Sequence, residues 1–228
     1  MTTQPHILRD FESSLKSVKK SVLVMADLAA GNLENAVGGL LQRKESLCND
    51  AIADDEEVNS LDRSIDKDGI EILLRFTPLA TDLRSVVAAM KVATNLERVS
   101  DQAGNIARRA RKIISKPEVP ETRLISPIAE LAAELLGDAM RSFSDGNVNL
   151  ALTLHERDQK LDSLHRKAIE TLTKAIENDT DNLRTYLNLI FIVRCLERIG
   201  DHAVNIGEDT VYTAEATDIR HIGPGALH

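Results

Sequence analysis

Apolar residues recur every three or four positions over long stretches of this chain, which is the spacing of amphipathic α-helices. Glycine and proline rarely interrupt the pattern, so we predict long helices throughout. Thr77-Pro78 predicts a helix end, because proline lacks the amide hydrogen that a helix interior needs. The first half is predicted to form a helix over 7–30 that continues over 33–41 after a break at Gly31-Asn32, a helix over 44–75, and a helix over 81–114 that Thr81 or Asp82 caps.

A proline-rich segment, Lys116-Pro117-Glu118-Val119-Pro120, lies almost at the midpoint and predicts a boundary between two units. Beyond it, helices are predicted over 126–143, 148–177 and 182–212, with turns at 144–147 and 178–181. Gly223-Pro224-Gly225 favours a flexible end. The predicted organisation is a first three-helix bundle over 1–115, a linker over 116–125, a second three-helix bundle over 126–213 and a flexible tail over 214–228.

The two halves share a sequence signature near the end of their last helices. Leu96-Glu97-Arg98 followed by Asp101 recurs 100 positions later as Leu196-Glu197-Arg198 followed by Asp201. The preceding helices align at a shift of 103, with Val58 matching Leu161, so the first copy holds three extra residues between these helices. Recurrence at a nearly fixed shift indicates internal duplication of a three-helix unit. We therefore predict an all-α fold of two tandem three-helix bundles.

Composition and charge agree with a helical, globular protein and exclude several classes of function. Hydrophobic residues make up 43% of the chain and charged residues 28%, with only 3% aromatic. A net charge of -8 with no basic stripe argues against nucleic-acid binding. Cys48 and Cys195 stand alone, without zinc-site spacing, which fits a reducing cytoplasm. No apolar stretch approaches the roughly 20 residues that span a bilayer, so we expect any membrane association to be indirect, through partners.

The repeated acids form a row of oxygen side chains along one face of a helix. Glu97, Asp101 and Asn105 are spaced four apart and therefore lie one above another. The row is predicted to continue a core-facing apolar stripe, where burying an unpaired charge costs several kcal/mol. The row recurs as Glu197, Asp201 and Asn205, and the stripes are Leu83, Val87 and Met90 in the first copy and Leu183, Leu187 and Ile190 in the second.

The helix before each row supplies further oxygen ligands. Asp158 and Asp162 are four apart at the edge of the apolar stripe, and Asp55 and Asn59 hold the matching positions in the first copy. Four oxygen side chains from two helices suit a hard divalent or trivalent cation, with iron, manganese, magnesium and calcium all admissible. Further candidates are His155 and His202 as ligands of the second site, and Arg84 and Arg184 as partners of the acids or of an anion.

Other interpretations of these acids stay open at this point. A single Glu-x-x-x-Asp is usually a solvated face with ordinary ion pairs, for example to Arg98 or Arg108, and only its repetition favours a function. A ferritin-like di-iron oxidase needs Glu-x-x-His on two helices. A coiled-coil scaffold predicts no acids within the apolar stripe. The chain lacks recognisable nucleophile, phosphate-loop or dinucleotide motifs, so we expect a binding protein and not an enzyme.

The two signatures together resemble the PhoU family of phosphate-uptake regulators over nearly the whole chain. The first copy contributes Asp82-Leu83-Arg84 and Leu96-Glu97-Arg98-Val99-Ser100-Asp101 to this resemblance, and the second Leu196-Glu197-Arg198-Ile199-Gly200-Asp201-His202-Ala203-Val204-Asn205-Ile206. It implies two three-helix bundles side by side and metal, such as iron, zinc or magnesium, bound by paired carboxylate motifs. Asn59 replaces an expected acid and Ser100 the usual glycine, so the first copy is the poorer match. The implied sites are Asp158, Asp162, Glu197 and Asp201 in the second bundle and Asp55, Glu97 and Asp101 in the first.

The resemblance also implies a function. It predicts a cytoplasmic negative regulator of phosphate uptake and of the phosphate-starvation response. Its expected partners are the ATPase subunit of a phosphate ABC transporter, a sensor histidine kinase and a second copy of the chain in a homodimer. An accessory role for a simpler phosphate permease is the alternative.

Overall fold

Seven α-helices account for most of residues 4–220, the part of the chain that the computed structural model describes, with side chains from Leu8 onward. Six of these helices are long, and the predicted all-α fold is confirmed. The helices are α1 (Gln4–Leu41), α2 (Glu45–Ala53), α3 (Asp55–Phe76), α4 (Ala80–Ala110), α5 (Ile125–Asp145), α6 (Val148–Asn178) and α7 (Leu183–Glu215), and a 3₁₀ turn (Pro120–Leu124) precedes α5.

Two predictions about helix continuity in the first half are wrong. Helix α1 runs through Gly31-Asn32 without a break. Asn32 is 1% exposed and donates a hydrogen bond to Ser100, so a tertiary contact outweighs the weak helix preference of the pair. The predicted helix over 44–75 is instead divided at Asp54 into α2 and α3. Three acidic residues then fill the first turn of α3, where the helix dipole favours negative charge.

The helices form two bundles that pack on each other. Helices α1, α3 and α4, with the short α2, form the first bundle, and α5, α6 and α7 form the second. The bundles contact mainly through α4 and α7, which run antiparallel: Arg84 near the start of α4 reaches Thr213 near the end of α7, and Arg109 near the end of α4 covers Phe191 near the start of α7. The buried apolar residues form one core cluster that continues through both bundles.

The duplication predicted from the signature extends to the first helix of each bundle. Buried positions of α1 match buried positions of α5 at a shift of 103, as Val22 and Met25 match Ile125 and Ile128. At the same shift, the buried amide Asn32 corresponds to the buried Leu135. The two bundles are thus copies of one packing scheme with local polar differences.

The apolar stripes that lead to the repeated acids lie only partly against the core, where Met90 and Ile190 pack on it. Leu83 and Leu183 are each 39% exposed and Leu187 is 42% exposed. The buried side of α7 is instead the neighbouring row through Leu189, Val193 and Leu196, and α4 has its core on the matching row. Helical periodicity aligns residues along one face but does not say which face meets the neighbouring helices. The repeated acids therefore lie at the edge of the core.

The turn predicted over 144–147 is present but confined to Gly146-Asn147, because α5 extends to Asp145. Gly146 adopts a positive φ of 64°, which glycine tolerates best, and the Asn147 side chain accepts a hydrogen bond from the Leu150 amide at the start of α6. At the C-terminus, α7 extends to Glu215, two residues into the predicted tail. Gly223-Pro224-Gly225 lies outside the described residues. None of the helices within residues 4–220 has the length and hydropathy to cross a membrane.

Candidate metal centre

Asp158 of α6 lies against the backbone of α7 because position 200 is glycine. A Cβ built on Gly200 would fall 2.8 Å from Asp158 Oδ1 and 2.3 Å from Leu161 Cδ2. Any larger side chain there would displace the carboxylate and a fully buried leucine. Gly200 therefore permits the close crossing that brings the acids of α6 to those of α7.

The four acids predicted for the second site are close enough to perturb one another. Partial burial, and then the charges of Asp162, Asp201 and Glu197, raise the pKa of Asp158 from 3.8 to about 7. Partial burial and the charges of Glu197 and Asp162 raise the pKa of Asp201 to about 6, against a smaller opposing effect of Arg198. Burial penalises an ionised carboxylate and like charges add to that penalty. Ionising all four acids at neutral pH is therefore unfavourable in this arrangement.

These acids form no ion pair within residues 8–220. Asp158 Oδ1 is buried and has no hydrogen-bond partner among the described residues. Arg198, the cation adjoining Glu197, makes no ion pair within 4 Å anywhere in residues 8–220. A buried carboxylate oxygen without a donor is costly, and a bound cation is one of the few groups that could satisfy it.

The equivalent acids of the first bundle are compensated. Ser100, at the position of Gly200, donates a 2.8 Å hydrogen bond to Asp55 Oδ1. Arg98 forms ion pairs with both members of the repeated motif, at 3.3 Å to Glu97 and 3.5 Å to Asp101. Partial burial and then Asp101 raise the pKa of Glu97, and Arg98 opposes them. The ordinary ion-pair interpretation of the motif thus holds in the first copy and not in the second.

Comparison with known proteins identifies the family. The PhoU domain model matches residues 22–110 and 125–210. This chain belongs to the PhoU family. A phosphate-specific transport system accessory protein PhoU homolog of Pseudomonas putida is 32% identical over 219 residues, covering 96% of this chain and 86% of that protein. The corresponding protein PhoU of Escherichia coli (strain K12) is 27% identical over 222 residues, covering 97% of this chain and 92% of that protein.

Solved PhoU structures have the same fold. A crystal structure of PhoU from Pseudomonas aeruginosa matches with a TM-score of 0.89 at 30% identity, covering 91% of this chain and 100% of that chain. The phosphate transport system regulatory protein PhoU from Streptococcus pneumoniae matches with a TM-score of 0.84 at 21% identity, covering 91% of this chain and 98% of that chain. The two-bundle architecture is therefore that of the PhoU family.

Sequence reasoning missed two residues of this PhoU chain that occupy duplicate positions. Asp62 and His165 are 103 positions apart, one helical turn beyond Asn59 and Asp162 on the same face. Asp62 Oδ1 and His165 Nε2 are both buried and unpartnered within the described part of the chain. The sequence signal that could have identified them is their spacing, three positions after Asn59 and Asp162. Asp162 and His165 form one Asp-x-x-His on one helix, short of the two Glu-x-x-His motifs of ferritin-like oxidases.

The residues present fit a metal ion in chemistry, but their side chains are not already in ligating positions. Within residues 8–220, no three His, Cys, Asp or Glu side chains are arranged to hold a metal ion. Free carboxylates repel one another, so rotamers that separate them are favoured until a cation offsets the charge. Binding would therefore require side-chain rotations of Asp158, Asp162, Glu197 and Asp201 toward a common point.

The remaining candidates lie elsewhere. His202 and Asn205 face α4, where both are hydrogen-bonded to Asn95 Oδ1, at 3.1 Å and 3.4 Å. Asn105 accepts a 3.1 Å hydrogen bond from Arg108. Arg84 donates a 3.2 Å hydrogen bond to the Thr213 carbonyl oxygen, and Arg184 is exposed. His155 is also exposed, and its charge lowers the pKa of Glu208, although burial of Glu208 raises that pKa by more.

Proposed function

We propose that this chain is an accessory protein of a phosphate-specific transport system and acts as a negative regulator of phosphate uptake and of the phosphate-starvation response. The observation that carries this proposal is the near full-length similarity to proteins with that accessory role in their names, over both bundles. The two unpaired cysteines support a reducing, cytoplasmic location for this activity.

The proposed mechanism is that of an adaptor without covalent chemistry. The two bundles present long helical faces, and apolar side chains remain exposed at Leu79, just before α4, at Leu83 on α4, and at Leu187 and Phe191 on α7. Exposed apolar residues at the surface of a helical protein favour contacts with partner proteins. We propose that these faces bind the transporter ATPase subunit and a sensor histidine kinase, and that the chain forms a homodimer.

The proposed metal centre lies in the second bundle, and its proposed ligands are Asp158, Asp162, Glu197 and Asp201. Support comes from the unpartnered Asp158 oxygen and the mutually raised carboxyl pKa values. A bound cation would offset the repulsion and tie α6 to α7. Oxygen ligands suit iron, magnesium and manganese, and zinc also accepts carboxylates. We propose Asp55, Glu97 and Asp101 as a weaker site, because Ser100 and Arg98 already occupy their oxygens.

Metal analysis of the purified chain tests the centre. Changing Glu197 and Asp201 to Ala should lower the bound metal, measured by mass spectrometry, by about half or more, because two of the ligand side chains are removed. The matched control is Glu97→Ala with Asp101→Ala, the same substitutions in the other copy, which should lower it less. Full metal retention in the Glu197/Asp201 variant would reject the site.

Co-purification tests the adaptor role. The immobilised chain should retain the transporter ATPase subunit and the cytoplasmic part of the sensor kinase at low salt. Retention should be measured with the wild-type chain, with the Glu197/Asp201 variant and with bare resin. If the wild-type chain retains neither protein above bare resin, the adaptor proposal fails whatever the metal content.

A further inference from the structure

A polar cavity lies between the end of α4 and the first half of α7, on the face of α7 that carries Phe191. Its volume is about 260 Å³. Three arginines line it together with two side-chain amides, and no acidic residue is among the described residues at its wall. The polar lining residues are Arg109, Arg194, Arg198, Gln102 and Asn105.

The arginines of this cavity have no directly paired acid among the described residues. None of Arg109, Arg194 and Arg198 takes part in an ion pair with any residue from 8 to 220. All three guanidinium-bearing side chains line the same cavity, so their charges converge there. The guanidinium of Arg109 stacks 4.1 Å from the centroid of the Phe191 ring, which holds it in one orientation.

The internal duplication supplies a direct comparison, because the antiparallel contact of α4 and α7 has two equivalent ends. At the other end, Lys91 occupies the position of Phe191 and Asp209 that of Arg109. Lys91 Nζ and Asp209 Oδ1 pair there at 2.9 Å, so that end contains its own counter-charge. At the end that holds the cavity, Arg109 stands in place of the acid. Since no described residue forms an ion pair with these arginines, a close counter-charge is left for solvent or a ligand to supply.

We propose that this cavity binds a tetrahedral oxyanion, either free orthophosphate or the phosphate group of a phosphomonoester. Arginine is suited to phosphate because its planar fork donates two parallel hydrogen bonds. The amides of Gln102 and Asn105 add neutral donors at the same wall. This inference goes beyond the proposed regulatory role and does not depend on the metal centre, since none of the four proposed ligands lines the cavity.

Calorimetric titration of the full-length chain at constant ionic strength tests the proposal. The probes are sodium orthophosphate, phenyl phosphate and sodium chloride. Orthophosphate or phenyl phosphate should bind with a stoichiometry of about one and chloride should not, because only the tetrahedral anions match the guanidinium forks. Changing Arg109 and Arg194 to Gln should weaken binding at least about tenfold, and Arg194→Gln alone by a smaller factor.

Arg166→Gln is the matched control, since it removes the same charge from an exposed position of α6. It should bind like the wild-type chain. Binding of orthophosphate that is lost in the double variant supports a site for free phosphate, and binding of phenyl phosphate alone supports a site for phosphomonoesters. The proposal is overturned if neither anion binds, or if the double variant, folded by circular dichroism, binds as well as the control.

Discussion

Ser100 Oγ donates a hydrogen bond of 2.8 Å to Asp55 Oδ1, and this contact distinguishes the two halves of the molecule. Ser100 in turn accepts a 3.0 Å hydrogen bond from the Asn32 side chain, so α1, α3 and α4 are joined by one polar chain. The equivalent positions to Asn32 and Ser100 in the second bundle are Leu135 and Gly200. The second bundle therefore leaves Oδ1 of Asp158, its equivalent of Asp55, without a donor among the described residues.

Replacing Gly200 by Ala should destabilise the protein. The new Cβ would lie 2.3 Å from a methyl group of Leu161, which is fully buried and cannot move freely. We expect a loss of about 1–2 kcal/mol in the free energy of unfolding, from overpacking. Urea unfolding followed by circular dichroism measures it. Gly137→Ala is the control: nothing lies within 4 Å of its Cβ position, so a gain of roughly 0.5–1 kcal/mol is expected.

Asp158→Asn should stabilise the metal-free protein in a pH-dependent way. Because folding raises the pKa of Asp158 from 3.8 to about 7, the folded state holds the proton more tightly. The loss of folding stability that comes from ionising Asp158 is absent below about pH 4, grows between pH 4 and 7 and is complete above pH 7. After allowance for solvent screening we expect about 1 kcal/mol at pH 8, or a Tm higher by about 2–4 °C. An equal effect at pH 4.5 and pH 8 would contradict this explanation.

The first bundle should be convertible into a stronger metal site. Ser100→Gly removes the donor that occupies Asp55, and Asn59→Asp restores the fourth acid found at Asp162. The double variant should bind more metal per chain than the wild type, measured by calorimetry with Mg²⁺ and Mn²⁺, because carboxylates without other partners bind hard cations better. Asn59→Asp alone is the control and should gain less. No gain in the double variant would argue against the proposed ligand set.

Lys91→Met should weaken the contact between the bundles. It leaves the carboxylate of Asp209, which is 8% exposed, without its 2.9 Å partner. Since Lys91 is itself 44% exposed, we expect a loss of about 1–2 kcal/mol at pH 8. Burial raises the pKa of Asp209, while Lys91 opposes that rise, so the loss should be smaller at pH 4.5, where the isolated acid can be protonated. Thermal unfolding at both pH values measures the difference, with Lys112→Met as an exposed control.

Much of the fold follows from local rules, and the exceptions have identifiable causes. The long helices, the turn at Gly146 and the duplication follow from spacing and turn chemistry. The continuity of α1 through Gly31-Asn32 does not, because the buried contact of Asn32 lies 68 positions away in the chain. The exposure of Leu83 and Leu187 was equally inaccessible, since an amphipathic pattern does not identify the neighbouring helix.

The sequence by itself determined which acids recur, at what spacing and on which helices. It could not determine which of them are compensated. Arg98 and Arg198 stand at identical places in the repeated signature, yet only Arg98 pairs with its acids among the described residues. Nor could it predict that Arg109 would face a cavity while its equivalent, Asp209, pairs with Lys91. Spacing places side chains around one helix, whereas ion pairs and burial depend on how helices cross, and only the tertiary structure decides that.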